Sequence, residues 1–465
     1  MAMRSTKLKP VATKRVETRY RRIVTPIPVP ESIPVIERLR AAEPASMSGM
    51  PPTLWHEAEG FKVRDPYGNQ WIDFTSGIMV ANSGHSHPRV LDAIHQAADR
   101  KLLVTYAFSS EDRLALLEKL VRLSPIPDSK AMLYSAGTEA TECALMLMRL
   151  HGKRLSPEKG GILSFEAGFH GRTLGARLSS GSPQPEERIL SERAGHYQIP
   201  YPICPRCPWG RETYDHCGEW CFEQCLASLQ ERGIRPEHLA GIIVEPILGW
   251  ATWPLPEDFV RALSAWAKQH DILLAFDEIQ CGCGRTGKLF GCEHLGVVPD
   301  LILLGKGLSS SLPVSAVLGP RWLMDRPAPG EMSTTHGGNP LCARASLANL
   351  EVIEEEGLVE AAARTGARVL EELAKLKDEL PAHVHSVHGR GLFLTVHLRQ
   401  PGTGEPDIAL ADAVAEEAVR RGVMLFTTGR GCLKIAPPLS IELPAALEAV
   451  GVLRECVLDL KDHAG

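Results

Sequence analysis

Leu301-Ile302-Leu303-Leu304-Gly305-Lys306-Gly307 is the stretch on which the reading of this chain turns. Four consecutive apolar residues read as a buried strand, and the turn residues after them, through Ser309-Ser310-Ser311, place one lysine at its exit. At the edge of an apolar wall an ammonium loses hydration, which favours the neutral amine, and a neutral amine can attack a carbonyl to form a Schiff base. Taken alone, Lys306 reads as a side chain snorkelling from a strand end. Its upstream neighbours change that.

Asp271-Ile272-Leu273-Leu274-Ala275-Phe276-Asp277-Glu278-Ile279-Gln280 is a second apolar run that ends in a carboxylate, and Gly241-Ile242-Ile243-Val244-Glu245-Pro246 is a third. Glu245 precedes Asp277 by 32 residues and Asp277 precedes Lys306 by 29, the length of a strand, a crossover and the next strand. Polar groups therefore gather at one edge of a parallel sheet, the carboxyl edge where open sheets of this kind bind ligands. A lysine for a Schiff base and an aspartate for a pyridinium nitrogen are the pair that pyridoxal phosphate needs.

A chain of 465 residues can bury a large core and divide into two or three domains. Its formal net charge of −5 points to neither nucleic acid nor an anionic membrane, and no apolar run is long enough to span a bilayer. Twelve cysteines without a secretory apolar segment read as reduced thiols, which places the protein in the cytoplasm. Residues 1–22 are strongly basic, a composition that also suits a transit peptide or a nucleic-acid arm; the preferred reading is a flexible terminus over residues 1–30. It ends in the proline-stiffened Thr25-Pro26-Ile27-Pro28-Val29-Pro30.

The stretch Val63–Phe74 reads as a hairpin, Val90–Leu102 and Ser110–Leu123 as helices. Leu133-Tyr134-Ser135-Ala136-Gly137-Thr138 is a short strand and a small-residue turn before a helix through Leu150. Free N–H groups there, with the Ser135 and Thr138 hydroxyls, make a phosphate cradle, although such turns also start helices that bind nothing. After the strand Gly161–Phe165, Phe169 can stack on a flat cofactor and Arg172 can grip a carboxylate as a fork; alone, the two read as a core aromatic and a surface cation. Cys204, Cys207, Cys217, Cys221 and Cys225 suggest zinc by their C-x-x-C start, but the last three also suit one face of a helix burying small thiols, and a structural insert is preferred with no metal assigned. Helical patterns at 357–379 and 407–421, interleaved with strands at 391–398 and 432–436, describe a smaller α+β domain.

With these residues assembled, the chain resembles the class III (ω-amino-acid type) pyridoxal-phosphate-dependent aminotransferases of fold type I, from about residue 52 to the C-terminus. The motifs are Ser-Ala-Gly-Thr-Glu-Ala at 135–140, Phe-His-Gly-Arg-Thr at 169–173, Glu245-Pro246, Asp277-Glu278-Ile279-Gln280, Gly-Arg-Thr-Gly at 284–287, Lys306, Thr335 with Gly-Gly-Asn-Pro at 337–340, and Ala-Pro-Pro-Leu at 436–439. The resemblance implies an α/β large domain at 96–345, with a mostly parallel central sheet, and a small α+β domain from both chain ends, 31–95 and 346–465. It implies Lys306 as the internal-aldimine lysine and proton shuttle, Asp277 at the pyridine nitrogen, Gln280 at the ring hydroxyl and Phe169 over the ring. Gly137 and Thr138 would hold the phosphate, with Thr335 reaching it from the second subunit of a homodimer with shared sites. Ser135, His170 and Glu245 complete the implied cofactor set, and Arg172, Ile78, Trp250 and Lys434 the substrate set.

Two departures bear on substrate. Relatives acting on ornithine or 4-aminobutyrate have Glu-Pro-x-x-Gly-Glu, whereas Glu245-Pro246-Ile247-Leu248-Gly249 is followed here by Trp250. They also carry arginine where this chain has Lys434, and in them the two residues pair, so Trp250 is expected to leave Lys434 without its usual partner. The expected reaction moves an amino group from an amino acid or amine to a 2-oxo acid. The alternatives are an amino-acid isomerase, racemase or decarboxylase on the same lysine, or a catalytically silent cofactor-binding protein.

Overall fold

Seven strands form the central sheet: β1 (Ser129–Tyr134), β2 (Gly161–Phe165), β3 (His196–Ile199), β4 (Leu239–Val244), β5 (Leu273–Asp277), β6 (Leu301–Leu304) and β7 (Ser315–Pro320). The structure is a computed structural model describing residues 8–47, 50–181, 185–204, 207–211 and 217–461. Across the sheet the order is β1-β7-β6-β5-β4-β2-β3. β7 runs antiparallel to both its neighbours and every other pairing is parallel.

The continuous apolar runs of β4, β5 and β6 are explained by burial on both faces, as in a parallel sheet covered by its crossover helices. Alternate residues go opposite ways. Ile243, Leu273, Ala275, Leu301 and Leu303 meet Ala140, Ala144, Leu147 and Met148 of the helix Gly137–Leu155. Ile242, Val244, Leu274, Phe276, Ile302 and Leu304 face the larger core that includes Phe259 of the helix Glu257–Gln269. A period-two side-chain pattern thus serves two helical layers at once.

The two chain ends meet in one further sheet. Lys62–Arg64 and Gln70–Asp73 form the expected antiparallel hairpin, and Val423–Met424 pairs in parallel with its second strand. A four-stranded antiparallel sheet, Val384–Arg390, Phe393–Leu398, Cys432–Ile435 and Phe426–Thr427, packs with the helices Leu358–Glu379 and Ile408–Arg420.

The N-terminal segment differs from expectation. Residues 1–7 lie outside the described residues, but from residue 8 onward the chain is docked rather than flexible. Val16–Glu17 pairs with Arg22–Ile23, and Arg22 joins Gln70. The reason is that apolar residues are spaced among the basic ones: Ile23, Ile27 and Val29 bury against Val63, Trp71 and Val419. The arginines meet acids, with Arg21 at 2.6 Å from Glu448 and Arg19 at 3.1 Å from Glu442. Helix Ile33–Ala42 follows, unannounced by any apolar stripe because none of its residues is buried. Among the described residues no helix is long and apolar enough to cross a membrane.

Candidate active site

The sheet delivers its polar residues to one edge. Glu245 follows the last residue of β4, Asp277 closes β5, and Lys306 stands two residues beyond β6. Lys306 keeps part of its surface open, and its φ of 42° lies in the left-handed region that non-glycine residues seldom adopt. Burial pushes its ammonium below the ordinary lysine range, while the charges of Asp277 and Glu245 pull the other way.

Asp277 is held from two sides. Its Oδ2 lies 2.7 Å from Nδ1 of His170, and its Oδ1 accepts from the backbone N–H of Ile279 at 3.1 Å. An ionised carboxylate has no proton to give, so Nδ1 is the donor. The imidazole is anchored through its own backbone, whose N–H donates to Ser180 Oγ and whose oxygen accepts from Thr141 Oγ1. Its Nε2 is buried without a hydrogen-bond partner.

Glu245 accepts from the backbone N–H groups of Phe169 and Gly249, each at 2.9 Å, and from Gln280 Nε2 at 3.3 Å. Burial pushes its carboxyl up to about 7, with His170 drawing it down and Asp277 adding to the rise.

The small-residue turn after β1 begins the helix Gly137–Leu155, which runs five residues past the expected Leu150. The Glu139 carboxylate accepts from the N–H groups of Ser135 at 2.9 Å and Ala136 at 2.8 Å. The N–H groups of Gly137 and Thr138 meet no acceptor among the described residues and stand at the positive end of the helix dipole, where an anion is favoured. Thr138 Oγ1 sits 2.7 Å from Thr173 Oγ1. Gly171, at φ +139°, passes so close that a Cβ on it would lie 2.2 Å from Thr138 Oγ1. Only glycine fits there.

Phe169 is 42 % exposed, an open aromatic face on a loop otherwise tied down at both sides. The Arg172 guanidinium lies 5.5 Å from its ring centroid, so the cation expected to grip a carboxylate is exposed beside the aromatic expected to stack. Thr335 is exposed on the loop before the helix Pro340–Glu355 and forms no hydrogen bond to any of these residues within the chain.

Around Ile78, residues 76–79 run through left-handed conformation, with φ of 50°, 59°, 65° and 65°. For the β-branched Ile78 this is a strained geometry, held by its surroundings. Thr75 Oγ1 accepts from Gly77 N at 3.1 Å, and Asp73 Oδ2 lies 2.7 Å from His85 Nε2. Ile78 packs on the cluster of Met79, Ile247, Phe393 and Phe426. Trp250 is half-buried, with the Arg430 guanidinium 4.6 Å over its ring and the His397 ring 6.1 Å away edge-on.

Lys434 takes other partners in place of the missing glutamate. It is not left without a partner: its Nζ donates to the backbone oxygen of Gly249 and, at 2.9 Å, to Gln280 Oε1. Glutamate is not the only group that can receive a buried ammonium.

Arg285 carries a role that its Gly-Arg-Thr-Gly motif does not reveal. It is fully buried, donating to the backbone oxygens of Leu392 and Pro437, to Asn82 Oδ1 at 2.6 Å and to Ser76 Oγ at 3.3 Å. It thereby ties the strained 76–79 turn to the segment after β5 and to the Ala436–Leu439 stretch. The motif was the available signal; burial of its arginine is a tertiary fact.

The cysteine-bearing segment stands apart. Cys204, Cys207, Cys217 and Cys221 line a small hollow of about 30 Å³ that shares no lining residue with the Lys306 group. All twelve cysteines are free thiols, and Cys221 and Cys225 are buried on the helix Gly218–Glu231. Among the described residues no three His, Cys, Asp or Glu side chains are arranged to hold a metal ion.

A depressed lysine amine, an oriented carboxylate, an open aromatic face and two free N–H groups beside a glycine with no room for Cβ are a donor set that fits pyridoxal phosphate. Comparisons with known proteins give the family. The family model for class III aminotransferases matches residues 45–457. The leucine/methionine racemase of Thermococcus litoralis is 34% identical over 92% of this chain and 96% of its own. The 4-aminobutyrate aminotransferase of Mycobacterium leprae is 31% identical over 94% and 98%. A solved Bacillus anthracis aminotransferase superposes with a TM-score of 0.81 at 28% identity, covering 92% of this chain and 99% of that one. The chain therefore belongs to the class III aminotransferase family.

Proposed function

We propose that this chain holds pyridoxal phosphate on Lys306 and moves an amino group from an ω-amino acid or amine to a monocarboxylic 2-oxo acid. The observation that carries the reading is Lys306 itself, partly open at the carboxyl edge of the sheet with its ammonium depressed by burial and the charge of Asp277 reaching it. When bound, the cofactor supplies an electron sink in its conjugated ring. Asp277, oriented by His170 and the Ile279 N–H, keeps a proton on the ring nitrogen. Gly137 and Thr138 would hold the phosphate through backbone N–H groups, and Phe169 would offer its open face to the ring. The Lys306 amine would take a proton from the substrate carbon and deliver it to the cofactor carbon that receives the amino group. Arg172 offers its guanidinium to a substrate carboxylate.

A second copy of the chain completes the site in this reading. Its support is an exposed apolar stretch, Leu102, Leu103, Val104, Tyr106 and Phe108, beside the loop that carries Thr335. Tyr106 Oη lies 2.9 Å from Ser333 Oγ, and Asn339 Nδ2 donates to the oxygen of Leu103 at 2.6 Å. A cytoplasmic location belongs to the same reading, and its support is the set of cysteines that stand as free thiols.

Racemisation is the second reading, favoured by the 34% identical racemase. Retention of Lys306, Asp277 and the phosphate turn speaks against a silent binding protein. The test is a panel of amines and amino acids given to the loaded enzyme, with and without a 2-oxo acid. Amino-group transfer that requires the acceptor supports the proposal; inversion of an L-amino acid without any acceptor, and no transfer with one, overturns it.

A further inference from the structure

We propose that Lys434 is a positioning residue that fixes which end of the Gln280 amide faces the cofactor pocket. The inference rests on the reading that pyridoxal phosphate binds at Lys306. Lys434 stands on the strand Cys432–Ile435 and is 2 % exposed. Its Nζ lies 4.7 Å from the Phe393 ring centroid and 5.7 Å from that of Phe426, and it donates to the oxygen of Gly249 and to Gln280 Oε1.

An ammonium has three donors and no acceptor, so only the oxygen end of an amide can face it. On the far side Gln280 Nε2 meets the Glu245 carboxylate. An ionised carboxylate offers only acceptors and demands the same orientation. Glu245 alone is a weaker guarantor, because burial pushes its carboxyl up to about 7 and a protonated carboxyl can also donate. Burial likewise lowers the Lys434 ammonium to about 7, so neither group fixes the amide alone; Nζ donates to the Gly249 oxygen and to Gln280 Oε1 at once, and this second contact demands the same orientation from the other side. One N–H of Nε2 is taken by Glu245, and the other meets no acceptor among the described residues, which leaves it for an oxygen on the flat ring.

Donation to that oxygen favours its anionic form; a flipped amide would turn a carbonyl toward it and disfavour the anion. The charged and titratable groups around Lys434 are Lys306 beyond β6, Glu245 after β4, and Arg285 and Cys281 in the segment after β5. Loss of the Lys434 charge therefore has a direct electrostatic effect of its own, and the test must separate it from amide orientation.

The separating experiment titrates the visible absorbance of the cofactor-loaded protein with pH in the wild type, Lys434→Met, Gln280→Leu and the double variant. The midpoint reads how basic the ring oxygen has become. Lys434→Met is expected to raise it by about half a unit to one unit. Gln280→Leu raises it at least as far, and in that background Lys434→Met adds only the smaller direct effect of its charge. An equal shift in both backgrounds shows a direct charge effect and overturns the proposal, as does no shift in either. Gln280→Glu serves if Lys434→Met does not fold: it keeps the shape and the contact with Lys434 but has no donor, so its midpoint rises, and an unchanged midpoint overturns the proposal. A wild-type protein that shows no visible band after loading overturns the reading of the site instead.

Discussion

Nδ1 of His170 lies 2.7 Å from Oδ2 of Asp277, and both side chains are buried. The bond ties the loop after β2 to the last residue of β5 and points the carboxylate along one direction. A carboxylate so held can stabilise a positive charge in front of it without reorganising.

Asp277→Asn removes the charge and keeps the shape. Turnover of the loaded enzyme is expected to fall by several powers of ten, about 4 kcal/mol or more of transition-state stabilisation. His170→Phe leaves the charge but loses its orientation, and a smaller fall of about ten- to a hundredfold is expected. Steady-state kcat/KM for the three proteins decides it. A near-normal Asp277→Asn enzyme would refute the role.

Lys306 yields a prediction about pH. Burial lowers its folded value below the ordinary lysine value of about 10.5, so between the two the unfolded chain holds a proton that the folded chain has released. Stability of the cofactor-free protein gains from this group as pH rises through that window and loses it as pH falls. The reactive neutral amine also appears below the ordinary lysine range. Capture of pyridoxal phosphate, followed by stopped-flow absorbance, should accelerate with a midpoint under that of a free lysine and vanish in Lys306→Ala. Borohydride reduction and peptide mapping should place the label on Lys306; label on another lysine sinks the assignment.

Arg285 should be intolerant of change. Its guanidinium sits among four oxygens with no exposed surface, so Arg285→Met strands their acceptor capacity and unties the 76–79 turn from the rest. A loss of about 3–5 kcal/mol is expected. Urea denaturation measures it, and a midpoint within a few tenths molar of wild type contradicts the picture. Gly171→Ala should act on the cofactor, since its Cβ would press on Thr138 Oγ1. Its expected signature is weaker retention of pyridoxal phosphate on dialysis.

How far the chain could be read beforehand follows from these cases. β4, β5 and β6 were legible because burial on both faces leaves an uninterrupted apolar run with the functional residue at its end. The turn at Gly137 and Thr138 was legible because it opens a helix that the pattern itself announces. Helix Ile33–Ala42 was not, since a helix with no buried residue has no stripe to read. Nor was docking of the basic terminus, where Ile23 and Ile27 are single apolar residues among charges. Arg285 and the Lys434–Gln280 contact are likewise invisible in one dimension: Lys434 and Gln280 lie 154 residues apart. A sequence states which residues are polar, and only the fold states which polar residues meet.

The cysteine-bearing segment should matter for stability and little for turnover. Burial, with Cys217, Cys221 and Cys207 nearby, pushes the Cys204 thiol up to about 12, far from a reactive thiolate at neutral pH. Replacing Cys204 and Cys207 together by serine should lower Tm while leaving kcat of the folded enzyme within about twofold. Stoichiometric zinc in the purified protein, lost together with activity, contradicts this.

Substrate choice follows from where the cations are committed. A second carboxylate on a 2-oxo acid needs its own cation, and the position that could have supplied one is Lys434. That ammonium is buried and already donates to Gly249 and Gln280, so it cannot turn to a ligand without leaving two acceptors unpaired. Trp250, packed under Arg430 and against His397, adds an apolar wall at the same end. Arg172 remains exposed for a single carboxylate. Pyruvate should therefore be preferred to 2-oxoglutarate by about tenfold or more in kcat/KM, a difference of about 1.4 kcal/mol. Ornithine should be a poor donor beside an ω-amino acid or amine. Lys434→Ala separates the causes: if the ammonium is committed to Gln280, the variant loses turnover on both acceptors alike and the ratio holds. A clear preference for 2-oxoglutarate, unchanged by Lys434→Ala, would show that another cation receives the second carboxylate and that Trp250 does not close this end of the site.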